Sequence, residues 1–185
     1  DAFKNLIDPT IAAGPSAIAV ACTTGEASTI DDAEQIKLIK YCVDIVNKRV
    51  PVIAGAGSND TSHAVELSKQ AEAAGAESVN IPIIVYSVAG RTGVNIAAST
   101  VYELAKVKNI VAIKEASGDL SQIAKIAANC DIDIYSGNDD QTLPILSLGG
   151  IGVISVLANV MPKEVADMCA KFFANDVAGA REIFL

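Results

Sequence analysis

At 185 residues the chain is one domain's worth of sequence, or two very small ones. Apolar residues make up 51% and charged residues 19%, which excludes a disordered chain and leaves ample material for a core. The formal charge of −8, with no Lys/Arg cluster, makes the chain a poor nucleic-acid binder.

Short β-branched runs alternate with longer runs of helical period. Residues 1–13 read as a helix stopped by Gly14-Pro15, and residues 17–22 as a strand. A helix follows over 31–47, with Ile36, Ile39, Val43 and Val46 at spacings of three and four and with Ser28 and Thr29 offering caps. Residues 50–54 read as a strand, with Pro51 near its start. The helix over 61–74 takes its cap from Asn59 or Asp60 and stops at Gly75. Strand 81–86 precedes helix 97–106, strand 110–114 precedes helix 120–128, and strand 132–136 precedes helix 140–148. Strand 152–156 precedes a helix over 162–174 with Pro162 at its first position. Six strands, each followed by a helix, imply a parallel sheet covered by helices. The architecture is a doubly wound sheet or a (βα)-barrel, and in both the ligand binds at the carboxyl ends of the strands.

Compartment and metal chemistry are read from the same sequence. Cys22, Cys42, Cys130 and Cys169 form no CxxC pair, and His63 is the only histidine, so a metal site is not expected. The thiols suit a reducing cytosol. No apolar run nears the ~18 residues of a membrane span, and no signal peptide opens the chain, so a cytoplasmic protein is expected. Asp1 is not an initiator methionine, which leaves the true N-terminus open.

The strand ends carry the chemistry. Lys114 is the only lysine within a strand, on the same face as Ala112 and opposite Val111 and Ile113. An amine in an apolar wall loses hydration of its charged form, and a neutral amine attacks a ketone to form a Schiff base. On the residue alone an outward-pointing surface lysine weighs more. Tyr86 ends a strand one βα unit earlier, as a proton relay or an ordinary sheet aromatic. Thr23 and Thr24 offer hydroxyls and backbone N–H groups in a Gly-containing turn, which suits a carboxylate or a plain helix entry. Arg91 offers a planar fork for a carboxylate, or is a surface loop arginine.

Other motifs weigh less. Gly55-Ala-Gly57-Ser-Asn-Asp60 imitates a dinucleotide fingerprint, but Asp60 would repel pyrophosphate and no acid ends the next strand. Gly149-Gly150-Ile151-Gly152 precedes a strand, the wrong order for cradling phosphate. His63 reads as a solvated helix residue. Asp139-Asp140 reads as a helix cap, with Gly137 leaving room for a ligand. The last strand runs through Ile154-Ser155 into Ala158-Asn159.

Taken together, the stretches Thr23–Glu26, Arg49–Gly57, Tyr86–Gly93, Val111–Gly118, Tyr135–Asp139 and Gly152–Val156 resemble the dihydrodipicolinate synthase and N-acetylneuraminate lyase family of class I aldolases. They lie in the family's order and span nearly the whole chain. The resemblance implies a TIM (β/α)8 barrel and reverses the plain readings of Lys114, Tyr86 and Thr23-Thr24. It implies that Lys114 forms a Schiff base with pyruvate, that Tyr86 passes protons with help from Thr23, and that Thr24 and its turn hold the pyruvate carboxylate. Gly137 and Ile154 are the further substrate-binding positions it implies. The Gly90-Arg-Thr-Gly93 stretch resembles the synthase branch, in which Arg91 holds the carboxylate of L-aspartate 4-semialdehyde; the lyase branch usually lacks that arginine. The implied reaction is aldol-type condensation followed by cyclisation in lysine biosynthesis, with no metal or organic cofactor because the imine is the electron sink. A dimer or tetramer is implied.

The chain departs from the family in places. Cys22 stands where Gly is usual, and Ser87 and Ala89 replace Asn and Pro. The family's first and fourth strands and its C-terminal helices have no counterpart, so residues 1–185 read as one incomplete TIM-barrel domain with a segment missing between 75 and 79. That segment normally carries a paired-tyrosine motif, one tyrosine of which reaches the neighbouring subunit's site. Three other readings stand beside the synthase: a keto-sugar-acid or sialic-acid lyase of the same fold, an inactive truncated barrel, and a nucleotide-binding doubly wound domain.

Overall fold

In the computed structural model, which describes residues 2–76 and 82–185, the chain forms two units, Asp1–Ile81 and Pro82–Leu185. The expected break between 75 and 79 falls on residues 77–81, outside the described residues.

The first unit begins with helix α1 (Ala2–Ala12) and strand β1 (Ile18–Val20). Helix α2 (Asp32–Val46), strand β2 (Val52–Ala54) and helix α3 (Thr61–Ala73) complete it. β1 and β2 pair in parallel, Ile18 with Val52 through Val20 with Ala54. The cap of α2 is Asp31, whose carboxylate accepts from the Glu34 N–H at 2.8 Å. Ser28 and Thr29 do not cap it; they lie in a 3-10 turn, Ala27–Thr29, and the Thr29 hydroxyl donates to the Glu26 carbonyl. The extended backbone of Ile30 separates that turn from the helix, so the carboxylate nearer the first turn takes the free N–H groups. Asp60 caps α3, as expected.

At the other end of α2, the Arg49 guanidinium donates to the Ile45 and Val46 carbonyls and to Asp8 on α1. A cation there satisfies orphan carbonyls and opposes the negative end of the helix dipole. Ile7, Val20, Ile39, Cys42, Val46, Val52 and Ala71 form one aliphatic cluster. Burial pushes the Cys42 thiol up to about 11, so it stays protonated and packs as a small hydrophobe.

The second unit holds a four-stranded parallel sheet in sequence order: β3 (Ile83–Ser87), β4 (Ile110–Glu115), β5 (Asp133–Ser136) and β6 (Gly152–Val153). Between the strands run α4 (Ala89–Thr92), α5 (Ala98–Leu104), α6 (Leu120–Asn129) and α7 (Thr142–Ser147), and α8 (Pro162–Phe173) and α9 (Val177–Phe184) follow. The parallel pairing and the strand–helix alternation are as the sequence implies, but among the described residues the six strands divide between two sheets, β1–β2 and β3–β6, where one was expected. The one-turn α4 and the final α9 were not expected; α9 takes its cap from Asp176, which accepts from the Gly179 N–H. The expected strand 152–156 is regular only over Gly152–Val153 and keeps one more ladder bond at Ile154, because Ser155, Val156 and Leu157 turn aside to a side chain described below.

Ile113 on β4 packs with Ile123 and Ile126 of α6, Ile134 of β5 and Ile145 of α7. Each fully buried isoleucine contributes about 1.5–3 kcal/mol. Leu143, Leu146, Met168 and Ala180 form a second cluster among α7, α8 and α9. Among the described residues, no helix is long and apolar enough to cross a membrane.

Candidate active site

Side chains alternate along a strand, so register decides which residues share a face. In the second unit Tyr86 pairs with Lys114, Lys114 with Tyr135, and Tyr135 with Gly152. These four form one row across the sheet. The ladder continues past the strands: the Gly137 N–H donates to the Glu115 carbonyl at 2.8 Å, and the Ile154 N–H to the Ser136 carbonyl at 2.9 Å. Period two therefore places Lys114, Tyr86, Gly137 and Ile154 on the same face, at the carboxyl ends of their strands. Ile113 and Glu115 take the opposite face, toward α6.

Within that row the Lys114 Nζ lies over the face of the Tyr86 ring, 4.3 Å from its centroid. Tyr135 flanks Lys114 on the other side. Its phenol is held above its ordinary range, first by burial and then by the Asp133 carboxylate, so it stays a neutral hydroxyl. Two glycines keep the row open. A Cβ on Gly137 would sit 3.1 Å from the Lys114 Cε and 2.8 Å from the Ala116 Cβ; one on Gly152 would meet the Tyr135 ring at 3.3 Å. Gly137 thus leaves room beside the lysine stem, where the sequence reading placed a ligand.

Arg91 lies in α4, on the exposed segment that leaves β3. Thr92 closes this turn: its hydroxyl bonds the Val88 and Val94 carbonyls. Thr23 and Thr24 belong to the first unit, in an exposed 3-10 turn, Thr23–Gly25. A tight junction sets that turn. Ala21 adopts φ +53°, and a Cβ on Gly55 would come within 2.0 Å of the Ala21 carbonyl oxygen. So the first glycine of the dinucleotide look-alike serves close backbone approach between strand ends, and Asp60 serves as a cap.

His63 is not merely solvated: its Nδ1 bonds Ser58 Oγ at 2.9 Å and its Nε2 bonds the Asp32 carboxylate at 2.9 Å, tying α3 to the start of α2. Asp139 does not cap the helix that follows it. Its carboxylate accepts from Ser155 Oγ and from the N–H groups of Val156 and Leu157, capping instead the 3-10 turn Leu157–Asn159. A carboxylate at the end of β5 faces the free N–H groups that leave β6, whereas the first turn of α7 lies farther along its own chain.

Glu115 escaped the sequence reading. It is 0% exposed, its Oε1 accepts from the Ser117 N–H at 2.9 Å, and its Oε2 accepts from the Gln122 side-chain amide at 3.1 Å. A glutamate one residue past the strand lysine, on the helix-facing side by alternation, was the available signal. Among the described residues, no group of three or more His, Cys, Asp or Glu side chains is arranged to hold a metal ion.

Parallel strands with helices between them, bearing polar side chains at their carboxyl ends, define an α/β fold of the kind whose enzymes bind ligands at the strand ends. The comparisons make this particular. The model of the Dihydrodipicolinate synthetase family matches residues 1–81 and 76–184. The chain is 48% identical to 4-hydroxy-tetrahydrodipicolinate synthase 1 of Clostridium acetobutylicum over 213 residues, covering 100% of this chain and 73% of the relative. The dihydrodipicolinate synthase structure from Aquifex aeolicus superposes with a TM-score of 0.95 at 36% identity, covering 99% of this chain and 72% of that one. The chloride-inhibited enzyme from Acinetobacter baumannii, solved with pyruvate, gives 0.91 at 34% identity over 98% and 72%. The chain belongs to the dihydrodipicolinate synthetase family, and its α/β fold is part of that family's TIM barrel.

Proposed function

We propose that the chain condenses pyruvate with L-aspartate 4-semialdehyde through a Schiff base on Lys114, forming 4-hydroxy-tetrahydrodipicolinate in lysine biosynthesis. The observation that carries this reading is the row Tyr86–Lys114–Tyr135: an amine at a strand end, against one tyrosine ring and beside a second, neutral tyrosine.

The chemistry balances without a cofactor. The Lys114 amine attacks the pyruvate ketone carbon, and loss of water gives an imine. The protonated imine draws electrons from the methyl carbon, which loses a proton to become an enamine. That carbon attacks the aldehyde carbon of the second substrate and forms the new C–C bond. The second substrate's own amine then attacks the imine carbon, closes the ring and expels Lys114. Tyr86, assisted by Thr23, moves protons to and from the oxygen that leaves as water. Thr24 and its turn hold the pyruvate carboxylate, Gly137 and Ile154 bound the space for the keto acid, and Arg91 takes the aldehyde's carboxylate in its planar fork.

We also propose that the protein works in the cytoplasm as a homodimer or homotetramer, a reading supported by its membership of the family. We further propose that part of the family's barrel between 75 and 79 is absent from these 185 residues. In support, the aligned span is 213 residues against 185 in this chain, and the family model matches in two pieces that meet at 76–81.

The test is turnover of pyruvate with aspartate semialdehyde, compared with N-acetylneuraminate and keto-sugar acids as cleavage substrates. The proposal expects the semialdehyde to be preferred, and Arg91→Ala to raise its KM roughly 10–100-fold, as loss of a charge-assisted hydrogen bond does, with the KM for pyruvate unchanged. Preference for a sugar acid, or an Arg91→Ala enzyme with an unchanged KM for the semialdehyde, would sink it.

A further inference from the structure

We infer that Gln122 is a positioning residue for the second substrate: its side-chain amide fixes the far end of the Arg91 segment to the buried carboxylate beside Lys114. The inference rests on the reading of Arg91 as the group that holds the aldehyde's carboxylate.

The Arg91 segment leaves the sheet at Ser87, where the strand is pinned because the Ala116 N–H donates to the Ser87 carbonyl at 2.9 Å. It makes one exposed turn and returns at Asn95 and Ile96. That return is held by Gln122. The Gln122 Nε2 donates to the Ile96 carbonyl at 3.2 Å, and the Asn95 Nδ2 donates to the Gln122 Oε1 at 2.8 Å. The same Nε2 donates to Glu115 Oε2. Gln122 is itself fixed in the first turn of α6, where its backbone N–H donates to the cap Asp119.

The chain of contacts thus runs from the strand of Lys114, through Glu115 and Gln122, to Asn95 and Ile96. With both ends tied, the backbone that carries Arg91 is held between them. Glu115 cannot move to serve another partner, since burial makes any unsatisfied carboxylate oxygen costly. None of these three groups lies on the Lys114 face, so none need touch the keto acid.

The test compares wild type with Gln122→Ala and with Asn95→Ala. Asn95 is exposed, so its truncation removes the amide contact without opening the core. Both variants are expected to raise the KM for aspartate semialdehyde about 3–10-fold, the worth of one or two hydrogen bonds. In Asn95→Ala, which leaves the Gln122–Glu115 bond in place, the KM for pyruvate and borohydride trapping of the Lys114–pyruvate imine should stay at wild-type values. Amide hydrogen exchange should quicken across residues 88–96 and not along β4. An unchanged semialdehyde KM in Asn95→Ala together with unchanged exchange in 88–96 would overturn the inference. So would a rise in the KM for pyruvate alongside it, which marks general loosening of the site. If wild type itself does not use the semialdehyde, the functional reading falls, and the exchange of 88–96 alone decides whether the tether exists.

Discussion

Lys114 and Glu115 are neighbours in the chain with opposite surroundings. Alternation sends one to the open face and the other beneath α6, where both carboxylate oxygens meet N–H donors. The placement of Lys114 was legible because a lone lysine in an apolar strand run stands out and its face follows from period two. The Glu115 network was not, because Gln122 and Asn95 are polar residues of ordinary loop and helix-start type, and only the fold brings them together. Gly137 gives the sharpest residue-scale prediction. Gly137→Ala puts a methyl group 3.1 Å from the Lys114 Cε, too close for the lysine to keep its position. Overpacking of this kind costs about 1–3 kcal/mol. We expect a lower Tm and at least a roughly tenfold fall in the rate of imine formation, since a small misplacement of reacting groups is costly. Stopped-flow or quench measurement of the imine checks it; a variant with the wild-type rate would remove Gly137 from the account.

At the scale of elements, aspartates cap four of the helices, α2, α3, α6 and α9. Asp31, Asp60, Asp119 and Asp176 each accept from a backbone N–H in the first turn that follows. Asp60 is legible as a cap in the sequence; Asp31 is not told apart from Ser28 and Thr29, because residue type alone does not reveal the extended step at Ile30. Asp119→Ala should cost about 0.5–2 kcal/mol, read as a shift in the urea midpoint, because it frees the N–H groups of Ser121 and Gln122. The corner between α8 and α9 gives a pH prediction. A hydrogen bond from Lys171, then the Gly179 N–H, holds the Asp176 carboxyl below its ordinary value of 3.8, and the same bond holds Lys171 above 10.5. The carboxylate's contribution is full above 3.8 and is lost as pH falls through the lowered folded value. The amine's contribution is full below 10.5 and is lost as pH rises through the raised one. Asp176→Asn should therefore flatten the dependence of Tm on pH at both extremes and leave wild type with the steeper acid limb. Parallel profiles for the two proteins would show that this corner does not contribute.

The whole molecule makes length the informative quantity. A TIM barrel typically takes about 250 residues, and this chain covers 72–73% of the relatives it matches. Nothing in local spacing exposes the difference, because the stretch from β2 to β3 reads as an ordinary βαβ unit. Only comparison with longer relatives shows that 213 aligned residues answer to 185. We predict that the protein purified from its own cells has an intact mass above the 19.1 kDa of this sequence; a mass of 19.1 kDa would mean the shorter barrel is real. The thiols supply a second check on the packing. Cys42 is 0% exposed with its thiol held up to about 11, so it should be the last cysteine to react with a thiol reagent at pH 8 in the native state. Early labelling of Cys42 would contradict the core of the first unit.

The central claim is that Lys114 carries the reaction. Incubation with pyruvate, reduction with sodium borohydride and peptide mass mapping test it most directly. The account predicts one carboxyethyl increment on the peptide that contains Lys114, absent without pyruvate and absent from Lys114→Arg. An unmodified Lys114 peptide, or the same increment in Lys114→Arg, would contradict it.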